Sequence, residues 1–283
     1  MLQGGLLAAP VLAGLPAVAW AQADAIAAAL AEIERTRGGR LGVCLLDVGA
    51  GRRIAYRAEE RFAMCSTFKV LAAALVLTRV DRGVERLDRR IVYGKDKVVA
   101  YSPETEKHVD EGMALGDICK AGLTLSDNTA ANLMLESFGG PPAVTAFARS
   151  LGDEVTRLDR SETTLNEAAP GDPRDTTAPA AMAEDLRRIL LGDALSPASR
   201  DQLTAWMLAN RTGDKRLRAG LPGDWRVADK TGSGGHAATN DIALLWPPGR
   251  GPIVATVYYA ESPAGDEARN GVIAEVGRLA ATL

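Results

Sequence analysis

The chain has 283 residues, 47% of them hydrophobic and 24% charged, enough apolar side chain for a large core and too much for disorder. Its 33 Lys and Arg stand against 36 Asp and Glu, a formal net charge of −3 with no long basic run, so the electrostatic footprint of a nucleic-acid-binding protein is missing. With only His108 and His236, and with Cys44, Cys65 and Cys119 far apart, the usual zinc spacings cannot be built; neither a metal nor a cofactor is expected.

Residues 1–23 are uncharged and mostly apolar, are broken by Pro10 and Pro16, and end at the first charge, Asp24. This pattern reads as a signal peptide, with Leu6 to Trp20 as its apolar segment and small-x-small cleavage sites at Ala21/Ala23 or Ala19/Ala21. It departs from the usual pattern in having no Lys or Arg near Met1. A periplasmic or secreted protein, not inserted in a membrane once the leader is removed, is the expectation. Export favours disulfides, yet three cysteines leave at least one thiol unpaired within a monomer.

From Asp24 to Thr36 the apolar residues Ile26, Leu30 and Ile33 recur at helical spacing up to Gly38-Gly39. Leu41 to Asp47 and Arg53 to Tyr56 flank Gly49-Ala50-Gly51 as a hairpin. Helix-like stretches come next over Ser66 to Val80, Leu115 to Leu125, Thr129 to Phe138, Pro141 to Ser150, Pro179 to Leu190 and Pro197 to Ala209. β-type runs return at Val227 to Thr231, Asp241 to Trp246 and Ile253 to Tyr259, before a helical tail from Asp266. The fold class is α/β (α+β): a five-stranded antiparallel sheet built from both chain ends (24–60 and 211–283), flanked by the first and last helices, with an all-helical domain (61–210) inserted between and a site in the seam. Arg157 to Thr177, rich in Glu, Asp, Pro and Thr, is too long for an ordinary connection and reads as a functional loop.

Three short patterns carry chemistry. Ser66-Thr67-Phe68-Lys69 places a hydroxyl and an amine three residues apart, on one face if a helix starts there. A serine hydroxyl becomes a nucleophile when a base takes its proton, and helix N-terminal N–H groups suit an oxyanion. A capping serine beside a solvated lysine gives the same pattern. Ser126-Asp127-Asn128 opens another helix and is explained equally well as a cap. Lys230-Thr231-Gly232-Ser233 ends a strand, where Gly permits close backbone approach and Lys, Thr and Ser suit a carboxylate, before a turn at Gly234-Gly235.

In this order Ser-x-x-Lys, Ser-Asp-Asn and Lys-Thr-Gly resemble the trio of class A serine β-lactamases and penicillin-binding proteins. The resemblance runs from about Asp24 to the C-terminus. Arg160-Ser161-Glu162, Leu165-Asn166 and Asp175 resemble the lactamase loop, closed by an Arg160–Asp175 ion pair. It implies hydrolysis of penicillins and cephalosporins, and so antibiotic resistance, by a monomer. Ser66 would be acylated, with the Ser66 and Ser233 N–H groups as oxyanion hole and Lys69 or Glu162 as base; Ser126 would pass a proton to the lactam nitrogen, and Glu162 with Asn166 would deliver the deacylating water. Asn128 would bind the substrate amide, Lys230, Thr231 and Ser233 its carboxylate, and Tyr101 would wall the cleft. Thr239 stands where many relatives carry Arg, and Arg216 would supply that guanidinium. Thr163 replaces a frequent Pro; Ala73 and Gly234 stand at the positions where relatives carry the disulfide partners of Cys119 and Cys65, so the resemblance implies that neither bridge forms. The rival readings are a D-alanyl-D-alanine peptidase and a β-lactam sensor that stays acylated.

Overall fold

The structure, a computed structural model, describes residues 15–283. Residues 1–14 of the expected leader lie outside the described residues. The first helix, Leu15–Arg37, begins nine residues earlier than the apolar spacing predicts, because the Ala-rich run ahead of Asp24 favours helix as strongly as the run after it.

Five antiparallel strands form the sheet in the order Arg52–Tyr56, Arg40–Asp47, Ile253–Ala260, Thr239–Trp246, Arg226–Ser233. Both ends of the chain therefore meet at its centre, where Val43 pairs with Val257. Alternation sorts the side chains onto two faces. Val43, Leu45, Val227, Leu245 and Tyr259 pack against Ile26, Leu30, Val272 and Val276 of the first and last helices. Cys44, Ala228, Leu244, Val254 and Tyr258 point the other way, into the larger core shared with the helices. Burial on both faces explains why the central strands read as nearly unbroken apolar runs.

In that larger core lies helix Phe68–Asp81, buried from Phe68 through Ala74 and again at Val76, Leu77 and Thr78, so it has no solvent face along most of its length. Around it stand helices Leu115–Thr124, Asn128–Ser137, Pro141–Ser150, Pro179–Leu190 and Pro197–Leu208. Three of these start at a proline, where the missing N–H leaves no bond unmade. Sequence patterning did not single out the bridges Phe62–Ala63 with Thr176–Thr177 and Arg90–Ile91 with Met113–Ala114, which are too short to show a period. All three cysteines are buried free thiols. Among the described residues no helix is long and apolar enough to cross a membrane.

Candidate active site

Ser66 sits in the tight turn Cys65–Thr67, which runs directly into the buried helix Phe68–Asp81. Asn240 ties this turn to the sheet by donating to the carbonyls of Ala63 (2.9 Å) and Met64 (3.1 Å), and Thr67 Oγ1 donates to Met64 O at 2.9 Å. Gly232 and Gly234 make the approach possible. A Cβ at Gly232 would lie 2.7 Å from Met64 O, and one at Gly234 would lie 2.7 Å from both Cys65 Sγ and Asn166 O.

One turn after Ser66, at the start of the helix, Lys69 is fully buried. Its ammonium donates to Asn128 Oδ1 (2.7 Å) and Ser126 O (2.8 Å) and pairs with Glu162 Oε1 at 3.0 Å. Burial lowers the Lys69 pKa, and the negative charge of Glu162 opposes that shift.

The capping function at Ser126-Asp127-Asn128 belongs to Asp127. Its carboxylate accepts from Ala130 N–H (2.8 Å) and Thr105 Oγ1 (2.8 Å), and this leaves its two neighbours for the cleft. Ser126, held at φ 60 in the left-handed region, puts its hydroxyl between two amines: 2.9 Å from Lys230 Nζ and 3.5 Å from Lys69 Nζ. Asn128 also donates to Ala100 O at 2.9 Å, which braces the segment carrying the exposed Tyr101.

Glu162 enters on the loop between Arg157 and Thr177. Arg160 Nε meets the buried Asp175 carboxylate at 2.5 Å, and Asp175 Oδ1 also accepts the N–H groups of Asp159 (2.8 Å) and Arg160 (2.9 Å). The Glu162-Thr163 peptide is cis. Glu162 Oε1 lies 3.4 Å from Ser66 Oγ, and Asn166 Nδ2 donates to Glu162 Oε2 at 2.6 Å. Sequence reasoning missed Asn132. Its amide accepts from Glu162 N–H at 2.8 Å and donates to Glu162 O at 2.9 Å, gripping the residue by both sides of its backbone. The available signal was spacing: Asn132 lies four residues after Asn128, on the same helix face.

The opposite wall is the edge strand. Lys230 is fully buried behind it, donating to Ser126 Oγ and to Thr231 O (2.7 Å), while Thr231 and Ser233 line the cleft. Burial, then the positive charge of Lys69, holds the Lys230 pKa well below the usual lysine range. Arg216 donates to Gly232 O (2.9 Å), Asn240 O (2.6 Å) and Ser233 Oγ (2.7 Å), and Asn270 Oδ1 accepts from its Nε at 2.9 Å. Thr212, also unforeseen, meets Thr231 Oγ1 at 2.5 Å and lines the same space.

These groups surround a cavity of about 330 Å³ whose walls carry Ser66, Ser126, Asn128, Asn166, Thr231 and Ser233, with Tyr101 and Arg216 among its remaining lining residues. A larger cavity, about 560 Å³, lies between Arg90, His108, Asp117 and Arg211; it contains neither a serine nor a cysteine. The smaller one holds a hydroxyl in contact with a carboxylate, backed by buried amines, which is the equipment of acyl transfer.

A family model described as the β-lactamase enzyme family matches residues 24–282. The chain belongs to that family. β-Lactamase L2 of Stenotrophomonas maltophilia is 51% identical over 254 residues (89% of this chain, 84% of the relative), and β-lactamase OXY-1 of Klebsiella oxytoca is 48% identical over 260 residues (92% and 89%). Among solved structures, an ancestral class A β-lactamase aligns with a TM-score of 0.89 at 70% identity, covering 90% of this chain and 98% of the other. That of the last common ancestor of Gram-negative bacteria gives 0.90 at 64%, covering 91% and 98%. The chain is thus a class A β-lactamase, a hydrolase of the β-lactam ring.

Proposed function

We propose that this β-lactamase works through a Ser66 acyl-enzyme that Glu162 deacylates, and that it takes penicillins and cephalosporins. The observation that carries this reading is the double contact of Glu162, with Ser66 Oγ on one oxygen and Asn166 on the other. In acylation the Ser66 proton leaves toward Glu162 Oε1, whose charge the Lys69 ammonium sustains. Ser66 Oγ bonds to the lactam carbonyl carbon, and the Ser66 and Ser233 N–H groups receive the oxyanion, each such donor being worth about 2.7–4 kcal/mol. As the C–N bond breaks, Ser126 gives its proton to the departing nitrogen and regains one from Lys69, which recovers it from Glu162 across their 3.0 Å contact, so that Glu162 is again a carboxylate.

The substrate carboxylate lies against Thr231 and Ser233, with Lys230 and Arg216 supplying positive charge from behind and beside them. Asn128 faces the substrate amide, and Tyr101 walls the cleft. In deacylation Glu162 takes a proton from water as the water attacks the ester, and returns it to Ser66 Oγ as the bond between Oγ and the acyl carbon breaks. Asn166 Oδ1, which has no protein partner among the described residues, offers that water an acceptor. The family does not favour the peptidase or sensor readings.

Residues 1–23 we assign to a cleaved leader, the mature protein to the periplasm or exterior as a monomer, and 24–60 with 211–283 and 61–210 to its two parts. The test is the time course of a chromogenic cephalosporin at tenfold molar excess over purified protein. Complete consumption is the expected result; one equivalent followed by a halt would sink the deacylation reading.

A further inference from the structure

The loop carrying Glu162 leaves the protein body at a neck, and the neck rests on two acids that the mechanism does not use. Asp153, after helix Pro141–Ser150, is 7% exposed, and Asp185, on helix Pro179–Leu190, is 1% exposed. Asp153 Oδ1 accepts the N–H groups of Val155 (2.6 Å) and Thr156 (3.0 Å). The two carboxyl groups lie against each other, and beyond the effect of burial Asp153 raises the Asp185 pKa by its charge and by its close approach. Asp153 Oδ2 and both Asp185 oxygens find no N–H or O–H donor among the described residues. Two carboxylates have no hydrogen between them and repel, so this contact requires a proton.

The cation that reaches Asp185 is already engaged. Arg188, on the helix of Asp185, is paired with Glu184; Arg149, on the preceding helix, donates to the carbonyls of Asp153 and Thr156 and faces Glu154. From the sheet comes the phenol of Tyr258.

We propose that Asp153 and Asp185 share one proton, and that Asp185 is thereby a positioning residue for deacylation. The linkage is short. Asp153 fixes Thr156, whose hydroxyl meets Thr177 Oγ1 at 2.6 Å; Arg157 N–H donates to Thr176 O at 2.9 Å; Arg160 and Asp175 close the loop, and Glu162 comes two residues on. This step rests on the reading of Glu162 as the deacylating base. Burial, reinforced by Asp153, pushes the Asp185 carboxyl up to about 9. An unfolded aspartate releases its proton near pH ~4. The folded chain therefore holds one more proton between these values, and the stability contributed is complete below the window and lost as pH rises through it.

Asp185→Asn supplies an N–H at every pH, and Asp185→Leu supplies none. Asp185→Leu is expected to lengthen the acyl-enzyme lifetime about tenfold, less than the 10² that a 1 Å misplacement costs, with acylation unchanged; Asp185→Asn restores it. The infrared difference between parent and Asp185→Asn at neutral pH should contain one protonated carboxylic acid C=O band. The melting temperature of the parent should fall relative to that of Asp185→Asn as pH rises toward about 9. A missing band, parallel melting curves, or parental deacylation in Asp185→Leu overturns the proposal. The band and the melting comparison need only the parent and the Asn variant, so they stand if the Leu variant does not fold. Glu162→Ala run alongside separates the two readings: if it too deacylates normally, the assignment of Glu162 has failed, and the band alone still decides the shared proton.

Discussion

Ser66 and Glu162 approach within 3.4 Å, yet the segments that bring them there are held by opposite means. The helix behind Ser66 is fixed by apolar burial on all sides, a non-directional force spread over many contacts. The loop behind Glu162 has little core of its own beyond Leu158 and Leu165. Directional bonds hold it: Arg160 on Asp175, Asn132 on both sides of Glu162, and Gly235 N–H on Asn166 O at 2.8 Å. The lesson is that the two halves of the reaction have separate supports. Acylation should tolerate loop damage that deacylation does not.

The largest effect is expected where the halves share an atom. Ser66→Ala should remove turnover by a factor on the order of 10⁶, with no covalent adduct in the mass spectrum of the protein mixed with penicillin. Glu162→Ala should lower turnover about 10² to 10⁴-fold and leave an adduct one substrate mass heavier than the protein; hydrolysis at the parental rate would break the division of labour. Asn132→Leu frees the Glu162 backbone without touching the nucleophile, and deacylation should slow about 10²-fold in a single-turnover experiment.

A smaller effect tests the other wall. Because Lys230 is held well below the usual lysine range by burial and by Lys69, its charge is lost as pH rises through that lowered value. KM should then rise about tenfold at alkaline pH, the worth of one charged hydrogen bond, while Lys230→Arg, charged throughout, keeps KM flat. Leu71→Ala, in the apolar support, should leave kcat unaltered and lower stability by about 2–5 kcal/mol in urea unfolding. A loss of deacylation in that variant would show the supports to be coupled.

Apolar periodicity made the sheet and the helical middle legible, since burial on one or both faces writes itself into spacing. Helices opened by proline, such as Pro141–Ser150 and Pro179–Leu190, have the bounds their sequences announce. Of the residues gathered at the cleft, Ser66, Lys69, Ser126 and Lys230 stood out because three short patterns occur in one order, and Glu162 because its loop resembles that of the lactamases. What stayed hidden was whatever depends on partners distant in sequence. Asn132 looks like any polar helix residue until Glu162 is folded against it, and Asp185 looks like a surface acid on an amphipathic helix until Asp153 meets it. Lys230 offered the same pattern whether it faced the cleft or stood behind the strand. Thr212 gave no signal at all, because one hydroxyl in a connecting segment has no period and no motif.

The three buried thiols give the molecule its own means of reporting when it opens. Cys65 lies under the nucleophile and Cys119 within the helical middle, while Cys44 is on the central part of the sheet; burial pushes all three thiols up, Cys44 to about 11 and Cys65 to about 12. Closed, none of them presents a thiolate to an alkylating reagent. The rate at which each thiol is consumed is then the rate at which its own neighbourhood unfolds, so site, sheet and helical middle can be timed separately in one untagged protein.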